Sequence, residues 1–79
     1  MFKEALALSA RQIGERIKAR RQELRVTQPH LAELAGVSVN TVCKVERGQG
    51  NPTLSVLLRI AEILGLELSL DVRKGKINA

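Results

Sequence analysis

The sequence predicts a single all-α domain of four helices followed by one C-terminal β-strand, and three observations lead there. Apolar residues recur at helical spacing in four separate stretches, each opened by serine or threonine and three of them closed by glycine. Over residues 66–72 the spacing changes to two, the signature of a half-buried strand. The 79 residues suffice for one domain only. A chain this short buries roughly 60% of its unfolded surface, so its core is thin.

Ser9-Ala10-Arg11-Gln12 reads as a capping box: the serine oxygen takes the N3 amide, Gln12 reaches back, and Leu8 and Ile13 form the accompanying staple. Ile13, Ile17 and Leu24 then form one stripe of a first helix spanning about residues 10–24. Arg21 lies on that same stripe, where an aliphatic residue is expected. Thr27 caps a second helix, with Pro29 in its first turn, where the missing amide is harmless. Proline disfavours α geometry at Gln28, so this start is expected to be irregular. Leu31, Ala32, Leu34 and Ala35 carry the helix to Gly36. Ser38 caps a third helix, in which Val42 and Val45 point inward and Gly48 follows the end. Residues 49–52 have loop composition. Thr53 caps a fourth helix, whose stripe is Leu54, Leu57, Leu58, Ala61 and Leu64, stopped by Gly65. In the strand, residues 66–73, Leu66, Leu68, Leu70 and Val72 share one face; Glu67, Ser69, Asp71 and Arg73 share the other. A short basic tail ends the chain.

Composition narrows the function. A hydrophobic content of 44% fits a globular protein rather than a disordered one. Phe2 is the only aromatic residue, which argues against a single-strand nucleic-acid binder that stacks bases on rings. The formal charge is +5 and the pI near 10.2. Much of the excess lies in Arg11, Arg16, Lys18, Arg20, Arg21 and Arg25, opposed only by Glu15 and Glu23. Such a balance suits a polyanionic partner, either DNA or an acidic membrane surface, and is also compatible with a plain solvated helix face. Cys43 is the single cysteine, so a disulfide could form only between two copies; a reducing cytoplasm fits. One histidine, one cysteine and scattered carboxylates make no metal site, and no cofactor is expected. The longest apolar run near the N-terminus is four residues, too short for a secretory signal, and nothing approaches the ~20 residues of a membrane span. No nucleophile–base pair, acidic dyad or glycine-rich phosphate loop is present, so no catalytic residue is assigned and an enzyme is not expected.

The second and third helices are joined by a very short turn, Gly36-Val37-Ser38. Such a turn needs a residue that tolerates positive φ, hence Gly36, and a small residue where the helices cross, hence Ala32. Apolar side chains are required at Leu31, Ala35, Val37, Val42 and Val45, and all are present. Together the pattern Gln28-x-x-Leu31-Ala32-x-x-Ala35-Gly36-Val37-Ser38-x-x-Thr41-Val42-x-x-Val45-Glu46-x-Gly48 resembles the phage-repressor and Cro-like, or lambda-repressor-like, helix-turn-helix family, with similarity over roughly residues 9–65 and the motif itself at 28–47. The resemblance implies a sequence-specific double-stranded DNA-binding regulator, with the third helix in the major groove and the second crossing the backbone. It also implies a buried ion pair between Arg21 and Glu46, which accounts for the arginine on an apolar stripe.

Helix geometry names the outward residues independently. With Val42 and Val45 inward, steps of about 100° per residue turn Asn40, Cys43, Lys44 and Arg47 outward, flanked by Val39 and Thr41. Asn40 suits an adenine edge, Lys44 the guanine acceptors and Val39 a thymine methyl. Cys43 hydrogen-bonds weakly and is expected to act as groove filler. The resemblance assigns phosphate contacts to Gln28, with Thr27 beside it, and to Ser38 and Arg47. His30 reads as a surface histidine. Apart from Arg21, the basic residues of the first helix are fringe phosphate contacts or solvated.

A lone strand after four helices has no partner in its own chain, and the same strand of a second copy, antiparallel about a two-fold axis, would supply one. The other readings are an extended tail or a continuation of the fourth helix. A strand here departs from many members of the family and resembles one branch, the HipB-like antitoxins, in which the fourth helix leads into a strand that pairs across the dimer. That branch binds its own operator and holds a kinase-like toxin. Two function classes therefore stay open: a cytoplasmic homodimeric repressor acting alone, of phage or plasmid type, and an antitoxin that also binds a HipA-like toxin kinase. In both, the operator is an inverted repeat.

Overall fold

The computed structural model describes residues 2–69, with side chains described from residue 10. Four helices follow one another: α1, Phe2–Glu23; α2, Gln28–Ala35; α3, Val39–Glu46; and α4, Leu54–Leu64. α1 packs on α3 and α4, and α2 packs on the same two helices. No strand occurs among the described residues. Residues 66–69 carry no regular secondary structure, and positions 70–73 of the expected strand, Leu70 and Val72 included, lie outside the described residues.

Three of the four starts use the cap residue named above. Thr27 accepts from the His30 amide, Ser38 from the Thr41 amide and Thr53 from the Val56 amide, each at 3.1 Å. The fourth start is different. The backbone is already helical at Phe2, so Ser9 lies inside α1 and does not cap it. Lys3, Glu4, Ala5, Leu6, Ala7 and Leu8 are all strong helix formers, and they carry the helix past a serine that costs it only about 0.5 kcal/mol.

All four helices end in the same way, with paired 6→1 and 5→2 hydrogen bonds around a residue of positive φ. For α2, Val37 N donates to Ala32 O at 3.0 Å and Gly36 N to Glu33 O at 3.2 Å, around Gly36 at φ 69°. Gly48 and Gly65 serve α3 and α4. α1 has Arg25 at φ 58° in that position, with Val26 N bonded to Arg21 O at 3.1 Å. A side chain there carries a steric cost that the three glycines avoid.

The core is Ile17, Leu31, Ala32, Ala35, Val42, Val45, Ile60 and Leu64, with Val26, Val37, Val56, Leu57, Ile63 and Leu66 packed around it. Two stripes are rotated from their expected positions, although Ile17 in α1 and Leu57, Ala61 and Leu64 in α4 stay on the core side. In α4 the buried residues are Ile60, Ala61 and Leu64, while Leu54 and Leu58 are exposed at 67% and 49%. α4 is apolar at eight of its eleven positions, so spacing alone admits either face. In α1 the buried residues are Gly14, Ile17 and Arg21, and Ile13 and Leu24 are partly exposed. The reason is Gly14: a Cβ built there would lie 2.4 Å from Val45 O and 2.6 Å from Glu46 O, so α1 meets the end of α3 backbone to backbone.

Candidate nucleic-acid interface

The tight turn at Gly36 sets α3 across α2, and Ser38 starts α3 at once. Its apolar side, Val42 and Val45, is fully committed to the core. That leaves Ser38, Val39, Asn40, Lys44 and Arg47 exposed on the other side. Thr41 is half-buried, and its Oγ1 lies 3.0 Å from Ser38 Oγ. Thr27 and His30 are exposed at the start of α2 and Gln28 is half-buried. Neither α2 nor α3 has an acidic residue in its first turn, so no carboxylate there offsets the positive ends of their dipoles, while Lys44 and Arg47 add charge at the C-terminal end of α3.

A buried polar network fixes this surface from behind. Arg21 meets Glu46 with two parallel bonds, Nε to Oε2 at 2.6 Å and Nη2 to Oε1 at 3.1 Å, and donates a third from Nη1 to Val26 O at 2.9 Å. Both residues are buried, at 9% and 6% exposure. The hydrogen bond to Glu46 raises the Arg21 pKa above its ordinary value, outweighing the burial that would lower it. The associated stability is therefore present at every pH below that ordinary value and is lost only above it. Glu46 Oε1 also accepts from Gln28 Nε2 at 3.0 Å, and Gln28 Oε1 accepts from Cys43 Sγ at 3.2 Å. One chain of bonds thus ties α1 to the start of α2 and to α3.

Cys43 is consequently half-buried against Gln28 rather than an outward groove filler. Gln28 lies where its backbone opens α2, but its carboxamide is already engaged at both ends. Two arginines that spacing left as solvated or did not single out are also tied down. Arg20 Nε donates to Leu64 O at the end of α4, and Arg59 Nη1 to Ala35 O at the end of α2, each at 2.8 Å. Both bonds satisfy helix-end carbonyls with a cation, which suits the negative end of the dipole. Gly48 likewise lies against α1, where a Cβ would come 2.7 Å from Arg11 Cα. The signal for these contacts is faint. An isolated glycine inside a helix pattern, such as Gly14, is the one hint of a close approach.

On the opposite side, Leu66 is half-buried against the core and Leu68 is 42% exposed. With Ile13, Ile17 and Leu57 they line an open groove of about 710 Å³ between α1, α4 and residues 65–69. Among the described residues no group of three or more His, Cys, Asp or Glu could hold a metal ion, and no helix is long and apolar enough to cross a membrane.

A short capped helix, presented by a glycine turn on a second helix with its polar face outward, is the helix-turn-helix unit of DNA-binding transcriptional regulators. This is the class that the fold and the site define, and it is not an enzymatic one. A family model described as a helix-turn-helix domain matches residues 12–72. The chain belongs to that family. It is 44% identical over 60 residues to an immunity repressor protein of Bacillus phage phi105, across 76% of this chain and 42% of that protein. It is 36% identical over 64 residues to the cryptic phage CTXphi transcriptional repressor RstR of Vibrio cholerae, across 81% of this chain and 55% of the repressor. The chain thus spans about half the length of these relatives. Its fold is similar to the crystal structure of the restriction-modification controller protein C.AhdI from Aeromonas hydrophila. The TM-score is 0.71 and the identity 33%, covering 76% of this chain and 91% of that one.

Proposed function

We propose that this protein is a cytoplasmic repressor that binds, as a homodimer, an inverted-repeat operator in double-stranded DNA. One observation carries the reading. The side of α3 away from the core exposes Ser38, Val39, Asn40, Lys44 and Arg47 together, while Arg21 and Glu46 hold the helix rigidly from within. In this reading Asn40, Lys44 and Val39 read base edges, with Thr41 flanking, and Thr27, Gln28, Ser38 and Arg47 hold phosphates. Leu66, Leu68, Leu70 and Val72 serve the dimer, which would set two recognition helices about 34 Å apart. The phage repressors among the relatives favour a regulator that acts alone. The antitoxin reading rests on the leucine alternation after α4, and a HipA-like kinase co-purifying with the chain from its native cell would favour it instead.

The test is operator binding by variants of the base-reading pair. Asn40→Ala or Lys44→Ala should cost about 1–3 kcal/mol on the cognate site and relax the preference at one base. Arg47→Ala should weaken all sequences alike and flatten the salt dependence. Unchanged operator affinity in the Asn40→Ala, Lys44→Ala double variant would overturn the assignment.

A further inference from the structure

Gln28 has a carboxamide whose two ends are chemically distinct, and its surroundings decide which way it faces. The ionised Glu46 carboxylate can only accept, so the amide nitrogen must face it; Nε2 lies 3.0 Å from Glu46 Oε1. That leaves Oε1 turned toward Cys43, with Sγ at 3.2 Å. An amide oxygen can only accept as well, so Cys43 must supply the hydrogen. The arrangement therefore needs a protonated thiol at position 43. A thiolate, or a side chain that only accepts, would set lone pairs against lone pairs.

Of the two Nε2 protons, one is committed to Glu46. The second belongs to a carboxamide at the first residue of α2, the helix end with no carboxylate in its first turn. We propose that Cys43 is a positioning residue: through its S–H bond it locks the Gln28 carboxamide so that the remaining Nε2 proton is presented to a DNA phosphate. Cys43 then contributes to affinity without reading a base. The proposal rests on the assignment of Gln28 to the backbone contact, and it assigns the half-buried cysteine of the recognition helix a role that its exposure alone does not give.

The experiment is a double-mutant cycle on Cys43 and Gln28. Its probe is one duplex selected by the wild-type chain from a random-sequence pool, titrated across a range of salt concentrations. Gln28→Ala should weaken binding about fivefold, the effect of one ordinary hydrogen bond, and leave the slope of log K against log salt unchanged, because a neutral amide donor releases no counterion. Cys43→Ala should weaken binding by a similar factor, again with the slope unchanged. Cys43→Ser, which keeps a donor, should restore the affinity. With Gln28→Ala already present, Cys43→Ala should have no further effect. Thermal melting of each variant separates these effects from loss of fold.

If Gln28→Ala leaves affinity unchanged, the backbone assignment of Gln28 fails and the positioning role fails with it. If Gln28→Ala behaves as expected but the two substitutions add independently, or Cys43→Ser fails to rescue, the Gln28 assignment stands. Cys43 then acts directly on DNA or by packing alone, and the positioning role is overturned.

Discussion

Replacing Glu46 by alanine tests whether a buried ion pair holds the recognition helix. Glu46 accepts three hydrogen bonds, from Arg21 Nε at 2.6 Å, Arg21 Nη2 at 3.1 Å and Gln28 Nε2 at 3.0 Å. Its side chain is 3% exposed and that of Arg21 is 11% exposed, so water has little access to replace the lost carboxylate. The substitution leaves a guanidinium in an apolar setting with only Val26 O as partner. Breaking a buried pair in this way costs about 3–5 kcal/mol. A chain of this length has only about 4–12 kcal/mol of total stability, so the loss takes a large share of it. At about 4–8 °C per kcal/mol the midpoint should fall by at least about 12 °C. The assay is thermal unfolding followed by circular dichroism, supported by a urea titration. A second variant, Arg21→Met with Glu46→Met, removes both charges and keeps the volume. It should regain most of the stability, because a well-packed apolar pair often replaces a buried ion pair without loss. A Glu46→Ala chain that melts within about 5 °C of wild type would refute the reasoning. So would a double variant no more stable than the single one.

Three further outcomes are expected. Gly14→Ala should destabilise by about 1–3 kcal/mol or more in urea, because its Cβ would meet the carbonyls of Val45 and Glu46 at 2.4 and 2.6 Å. At an exposed helix position the same change gains about 1 kcal/mol, so the sign alone decides whether the close approach exists. Arg25→Gly should raise the melting midpoint by a few degrees: the left-handed conformation at φ 58° costs a side chain about 1–2 kcal/mol, more than the chain entropy glycine adds. Ending the chain after Glu67 keeps Leu66 on its own core and removes Leu68 onward; by sedimentation it should be monomeric, with operator affinity much reduced. A truncated chain that remains a dimer would place the interface on the helices, with the exposed Leu54 and Leu58 as its first candidates.

Much of the fold was legible because helix ends are written in local chemistry. Thr27, Ser38 and Thr53 each cap through one side-chain oxygen, and Gly36, Gly48 and Gly65 each take a left-handed φ, so single residues mark the boundaries. Ser9 failed because a cap residue is a permission and not a command: strong helix formers on its N-terminal side let α1 continue. The outward face of α3 was legible because only two of its residues, Val42 and Val45, are apolar and inward, which fixes the rotation of a helix only eight residues long. α4 gave no such constraint. Its apolar residues surround most of the helix, and only packing selects Ile60 over Leu54 and Leu58.

The polar network was half legible, for a reason that sets a limit on reading by spacing. Arg21 stands out in the sequence because it interrupts an apolar stripe, yet its partner lies twenty-five residues away and periodicity within one helix cannot reach it. The resemblance supplied Glu46; nothing supplied Cys43 as the donor to Gln28. That bond belongs to a network anchored on α1, and the approach of α1 to α3 is set by backbone contacts made with no side chain at all. Gly14 lets α1 touch the carbonyls at the end of α3, and Gly48 lets the following turn lie against Arg11. With α1 that close, the Arg21 side chain can reach Glu46 by both nitrogens, and Glu46 in turn orients Gln28. The absence of a side chain at two positions therefore decides the hydrogen bonding of four others. Substituting Gly14 should accordingly disturb operator binding along with stability, although Gly14 is buried on the far side of α3 from the exposed residues assigned to DNA.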